Sequence, residues 1–254
     1  MKNPMLIAAC LLTGAVMFAS GAWAQTSNPS PAAPATSSGS IPNLAGVWIV
    51  TNYRGPLADM SPELAATKAG PPFTPAGLEK YQKAVEDKKI LDTGPSSRCL
   101  PPSISFLMVM PYAMEIVQTP QRVFTFHEFG NYVRKIWMDG RGHGDPDPSW
   151  LGHSIGRYEG DTLVVDSVGF NGKTWLDQMG LRNSDALHTI ERFRRVGADL
   201  EYKITLDDPK AFTRPWTAEA KFRPTPPSFT IPEFVCMENN EYVGSPGMKL
   251  DVFQ

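Results

Sequence analysis

The chain has 254 residues, with 24 Lys and Arg against 26 Asp and Glu and a net charge of −2 at pH 7. That faintly acidic balance, without a basic block, excludes nucleic acid and anionic membrane surfaces as electrostatic partners. The 24 prolines disfavour long helices and uninterrupted central strands and favour a chain of many turns.

The first residues read as an export leader. Lys2 is the positive start, residues 5–18 are apolar and uncharged, and Ala22-Trp23-Ala24 is a small-x-small cleavage site before Gln25. The apolar run is too short and wrongly flanked for a membrane anchor. Ile7-Ala8-Ala9-Cys10 formally resembles a lipoprotein site, but a cut there leaves almost no apolar core. Cleavage after Ala24 is therefore expected, giving a periplasmic or secreted chain with no integral membrane segment. Cys10 leaves with the leader. Cys99 and Cys236 remain, an even pair in an oxidising compartment, and are expected to form a disulfide. Residues 25–40 are rich in Ser, Pro, Ala, Thr and Gly, the composition of a flexible linker. Residues 41–254 then suit a single domain.

Residues 45–53 (A-G-V-W-I-V-T-N-Y) read as a strand. Gly46-x-Trp48 at its start resembles the opening strand of lipocalin-type barrels, and a Trp closing one end of a core fits equally well. Residues 54–72 read as loop with at most a short helix at 62–68. Thr74-Pro75 marks a helix start, Thr as N-cap and Pro at the first helical position. That helix is expected to reach about Lys89, with Leu78, Tyr81 and Val85 packing its apolar face on the outside of a sheet. From Met110 onward β-type runs dominate. Residues 112–118 and 123–129 are joined by a Thr-Pro-Gln-Arg turn, and 132–138 follow. His127 shares a strand face with Val123 and Thr125, as a wall residue or a ligand contact.

Residues 139–149 (D-G-R-G-H-G-D-P-D-P-S) form a Gly/Pro/Asp loop. Its acids and His143 suggest a cation site, but the spacing does not match an EF-hand loop and no bidentate Glu follows. A solvated, mobile loop is the expectation.

The sharpest chemical signal lies between residues 153 and 168. Two β-type runs flank Gly160-Asp161, and Gly at the first central position supplies the positive φ of a type II′ hairpin turn. With those two as turn residues, Glu159 faces Thr162, Arg157 faces Val164, Ile155 faces Asp166 and His153 faces Val168. One side of the ribbon then carries His153, Arg157 and Asp166 together.

After a polar loop at 169–185, anchored by Trp175 and Leu176, a second hairpin spans 188–196 and 200–206. Placing Val196 opposite Leu200 sets Arg192 against Ile204 and Arg195 against Glu201. Arg194, Arg195, Glu201 and Lys203 then form an exposed charge ladder of little individual worth. Residues 216–223 make a further strand. The sum is an all-β, mainly antiparallel chain, a single lipocalin-like β-barrel with one short N-terminal helix outside it and long loops.

Several stretches together resemble a large group of secreted bacterial proteins of unassigned activity. They are D-G-R at 139–141, W-L-G-H-S-I-G-R-Y-E-G-D-T-L-V-V at 150–165, T-W-L-D at 174–177, E-R-F-R-R at 191–195, and D-D-P-K at 207–210 with Pro215-Trp216. The resemblance covers nearly the whole mature chain and implies a secreted protein without implying a reaction. Where that group often reads Pro-His-Ser-(Asp/Glu), this chain has Arg182-Asn183-Ser184-Asp185. His153 and His188 are left as the imidazole candidates.

No Gly-x-Ser-x-Gly elbow, P-loop, dinucleotide fingerprint or His-Glu-x-x-His is present. Hydride transfer, phosphoryl transfer and zinc-protease chemistry are thereby disfavoured. The remaining expectation is an enzyme without metal or cofactor, of lyase, isomerase or hydrolase type, acting on a small aromatic or partly apolar molecule in a barrel cavity. His153 is its acid or base, oriented by Asp166, with His188 and Arg192 completing the catalytic group. Arg157, Tyr158, Trp175, Trp48 and His127 are the candidate substrate contacts. The alternative is a binding protein that carries a hydrophobic small ligand without chemistry.

Overall fold

The computed structural model describes residues 41–68, 70–86 and 98–238. The expected leader and linker, residues 1–40, lie outside the described residues, as does the 87–97 stretch into which the helix is expected to run. Nine strands close into a barrel in simple chain order. They are β1 (Gly46–Val50), β2 (Ala113–Gln118), β3 (Arg122–His127), β4 (Tyr132–Trp137), β5 (His153–Glu159), β6 (Thr162–Val168), β7 (His188–Val196), β8 (Asp199–Asp207) and β9 (Trp216–Pro224). β9 pairs with β1 and completes the ring.

Eight neighbouring pairs are antiparallel and one, β4 with β5, is parallel. Antiparallel neighbours need only a tight turn. Parallel neighbours oblige the chain to return to its starting rim before it can pair again. Residues 138–152 make that return.

Alternation along each strand sends one set of side chains inward. Trp48, Ile116, Val165, Phe193, Tyr202 and Phe222 are among those that fill the barrel, all of them buried. Gly156 faces inward on β5, where a Cβ would strike Met138 Sδ at 2.5 Å and Ile136 Cγ2 at 2.8 Å. The missing side chain lets both residues pack across the parallel seam. The interior of this wall is also partly polar. Arg134 on β4 donates to Ser154 Oγ at 3.0 Å, Ser167 Oγ at 2.8 Å and Glu191 Oε1 at 3.0 Å, so one side chain ties β4 to β5, β6 and β7 from inside. Tyr202 O–H donates to the same carboxylate at 2.8 Å.

The β5–β6 register is the one the Gly160-Asp161 turn dictates, from Glu159 opposite Thr162 to His153 opposite Val168. Gly160 supplies the positive φ of 61° that the turn requires. The β7–β8 register is corrected by one residue. Val196 opposes Asp199 and Arg195 opposes Leu200, because Gly197 and Ala198 alone make the turn and Asp199 joins the strand.

Among the described residues three α-helices sit outside the strand order: α1 (Pro62–Thr67), α2 (Pro75–Glu86) and α3 (Ile104–Val109). Thr74 caps α2, its Oγ1 accepting from Gly77 N–H at 3.0 Å. The expected apolar face of α2 is corrected. Leu78 and Val85 are exposed, and Gly77, Ala84 and part of Tyr81 face the body of the protein. A Cβ on Gly77 would lie 2.2 Å from Ala211 O, so this glycine sets how closely the helix approaches. No local pattern announces α3, a six-residue helix that is apolar almost all round and entirely buried, with no amphipathic period. The expected disulfide is present, Cys99 to Cys236 with Cα atoms 5.6 Å apart.

Candidate active site

His153, Asp166 and His188 lie on adjacent strands with no residue of another strand between them. Ile155 and Ile190 flank Asp166 on either side, so His153 on β5 and His188 on β7 both stand diagonal to it. Their side chains do not enter the barrel. The inward positions of these strands belong to Ser154, Ser167 and Glu191, which are buried, and the imidazoles and Asp166 alternate with them on the outer wall. The expected placement in a barrel cavity is corrected accordingly.

A fourth residue completes the group. The return segment crosses the outer wall and lowers His143 onto it. His143 Nδ1 meets His153 Nδ1 at 2.9 Å, and His143 Nε2 meets Asp166 Oδ1 at 3.1 Å. His188 Nε2 meets the same oxygen at 2.8 Å. Most of residues 139–149 are exposed, as expected of a solvated loop, but His143 makes the segment a strap held to the wall, and the expected direct support of His153 by Asp166 is relayed through His143. Nearby, Arg141 pairs with Asp139 and stacks 3.6 Å from the Trp137 ring centroid, pinning the same strap.

The proton positions follow from acceptor chemistry. A carboxylate only accepts, so His143 and His188 each donate Nε2–H to Asp166. With a neutral His143 ring, its Nδ1 is then an acceptor, and His153 must donate Nδ1–H to it. That leaves His153 Nε2 with a lone pair. It has no hydrogen-bond partner among the described residues and is not sealed from water. Burial above all, with the nearby Arg141 cation, holds the His153 pKa below its ordinary value of 6.5, so the ring is neutral at pH 7. Side-chain exposures of 18% for His143, 25% for Asp166 and 39% for His188 leave the group reachable from solvent.

The four groups form a chain, with each nitrogen of His143 turned to a different partner. Among the described residues no set of three or more His, Cys, Asp or Glu side chains converges on one ion-sized position. His153 also lines an open groove of about 440 Å³ together with Val133, Lys135, Trp137, Trp150 and Leu151.

The other candidates lie elsewhere. Arg157 and Arg192 share the outer face but are exposed and both bind Glu159, at 2.6 and 2.7 Å. Those two guanidinium groups, Arg192 first, hold the Glu159 carboxyl below the usual range. Neither reaches the imidazoles through any hydrogen bond, so the structure does not bring Arg192 into the expected group with His153 and His188. Trp48 is buried and donates Nε1–H to Leu44 O at 3.0 Å, closing a barrel end. Tyr158 is turned inward and accepts from Gln118 Nε2 at 2.8 Å. Trp175 is buried in its own loop under Arg182. His127 is inside the barrel against Thr125 Oγ1 at 3.0 Å, and burial followed by nearby Arg134 lowers its pKa to about 3. None of the four forms a hydrogen bond to the imidazole cluster. Asn183, at the place where the resembling group often has His, is buried and accepts from Thr174 Oγ1 at 2.6 Å.

Fold and cluster together define the class: a small closed β-barrel bearing an imidazole–carboxylate chain on its outer wall. No protein-family model matches the chain, and no curated protein matches it significantly. Among solved structures, the REP1-NXSQ fatty acid transporter aligns at 10% identity and a TM-score of 0.33, covering 72% of this chain and 96% of the transporter. A tyrosine-to-phenylalanine variant of that transporter aligns at 10% identity and 0.34, covering 72% and 98%. At that distance the likeness bears on neither ligand nor reaction.

Proposed function

We propose that this chain is an exported, cofactor-independent enzyme in which His153 Nε2 is the general base, and then the general acid, for a small molecule bound in the outer groove. The observation that carries the reading is the His153–His143–Asp166 hydrogen-bonded chain, which ends in a free lone pair at a solvent-reachable groove. When His153 takes a proton at Nε2, it strengthens its Nδ1–H donation to His143, and Asp166 stabilises the resulting positive charge through His143. His188 donates to the same carboxylate oxygen and fixes its direction. The arrangement suits hydrolysis, elimination or isomerisation, each of which needs one proton moved at one place.

The second reading, a binding protein for a partly apolar ligand, draws on the apolar walls of the same groove, Trp137, Trp150 and Leu151. The two separate in a turnover screen over ester, lactone and enolisable carbonyl substrates. General acid–base catalysis contributes about 10²–10⁴-fold, and His153→Ala is expected to lose that factor while remaining folded. Asp166→Asn is expected to lose a smaller share. A folded His153→Ala variant with undiminished turnover would overturn the catalytic reading and leave binding. The pH profile is a further check. The base works only when neutral, and its pKa lies below 6.5, so activity should persist to more acidic pH than for a free imidazole before it falls.

A further inference from the structure

The parallel seam that lays His143 over the wall also sets what lies on the far side of His153. Ile136 pairs with Ser154 and Trp137 with Ile155, so one step back along both strands Lys135 stands beside His153 on the outer face. Lys135 lines the same groove. Its ammonium lies 5.1 Å from the centroid of the Trp137 ring, and among the described residues no carboxylate comes within ion-pair distance of it. Arg122, paired opposite Trp137, likewise stands over that ring and has no ion-pair partner among the described residues. One ammonium without an ion-pair partner lines the groove, with Arg122 a strand away, and on a chain of net charge −2 it marks a local preference for negative charge. The rest of the lining is mainly apolar, with Pro101, Trp150 and Leu151 beside Ser149, Ser154 and the ion-paired Arg134. Val133 is 51% exposed there, and Trp150 and Leu151 come from the strap.

We propose that the groove beside His153 takes a small organic carboxylate with an aryl or branched apolar body, its charge on Lys135 and its body on Val133, Trp150 and Leu151. A monoanion fits because a single ammonium adjoins the groove, and Arg122 stands a strand further away. This inference rests on the reading of His153 as the reacting group, for it places the bound body next to that imidazole, but its test is one of binding alone.

The test compares 3-phenylpropionate with the neutral 3-phenylpropionamide by titration calorimetry on the full exported chain. An ion pair in a half-open groove is worth up to about 1 kcal/mol, so the carboxylate should bind about fivefold tighter. Lys135→Met should erase that preference and Lys135→Arg should keep it. Because Lys135 is exposed, both variants are expected to fold, and thermal melting verifies this. Equal affinities for acid and amide, no binding of either, or a preference that survives Lys135→Met would each overturn the assignment. His153→Ala should bind the acid within about threefold of the parent, since it removes no charge partner at pH 7. Binding that persists in His153→Ala while turnover vanishes supports both readings. Loss of the acid preference with catalysis intact would remove this one alone.

Discussion

The strands β5, β6 and β7 carry two polar clusters, one on each face, and the pair behaves as an internal control. Inside, Arg134 and Glu191 are 2% and 0% exposed, and Ser154, Ser167 and Tyr202 take up their remaining valences. Outside, His153, His143, Asp166 and His188 are partly exposed, and two nitrogens, His153 Nε2 and His188 Nδ1, have no hydrogen-bond partner among the described residues. Residue types alone do not separate the two, since each contains a carboxylate and basic groups at hydrogen-bonding distance. Saturation does. A cluster whose every donor and acceptor is matched in a dry interior has nothing to offer a substrate and serves to lock strands together. A cluster that keeps open lone pairs on rings held in direction by their neighbours is equipped to move a proton.

The largest effect that could break this contrast is on stability. Arg134→Ala leaves Glu191 buried and uncompensated, and losing one partner of such a pair costs about 3–5 kcal/mol. Urea denaturation should show it, and the apolar double variant Arg134→Met with Glu191→Leu should unfold less readily than Arg134→Ala. Next comes His153→Ala, which should lower turnover about 10²–10⁴-fold with a stability change under about 1 kcal/mol. A variant pair that reversed these outcomes would erase the distinction between the faces.

Acid sharpens the contrast through the inner histidine. The folded-state pKa of His127 is lowered to about 3, against an unfolded value near 6.5. Between those values the unfolded chain binds the extra proton and the folded chain does not. The stability from a neutral His127 is therefore complete above pH 6.5 and is lost as pH falls toward 3, by at most about 1.4 kcal/mol per pH unit. Denaturation midpoints at pH 7, 5.5 and 4 should fall more steeply for the parent than for His127→Leu. The smallest effect is expected at Arg157 and Arg192, whose ion pairs with Glu159 are exposed. Alanine at either should change stability by under about 0.5 kcal/mol and leave turnover unchanged. A large loss of turnover at Arg192 would restore it to the site.

The β5–β6 register was readable because a Gly-Asp turn and a two-residue period fix it together. The same period placed His153 and Asp166 on one face and admitted His188 as a partner. It could not say which face looks inward. Along these strands the inner row reads Ser154, Ser167, Glu191 and the outer row includes Ile155, Val164 and Ile190, so polarity points the wrong way where it matters most. His143 was hidden for a different reason. Its position depends on β4 and β5 running parallel, and no local pattern announces the direction of the next strand. The β7–β8 slip came from one residue of turn length, which moves every pairing and sets the other row of β8 beside each face of β7.

The single parallel seam makes barrel closure and the gathering of His143, His153 and Asp166 one event. A ribbon with all its hairpins formed but unzipped between β4 and β5 would keep Asp166 and His188 side by side. It would have no ceiling over them, no relay to His153 and no Lys135 next door. Trimming the connection over residues 138–152 should therefore silence the protein, whereas shortening the loop at Gly197 and Ala198 removes nothing that spans the wall.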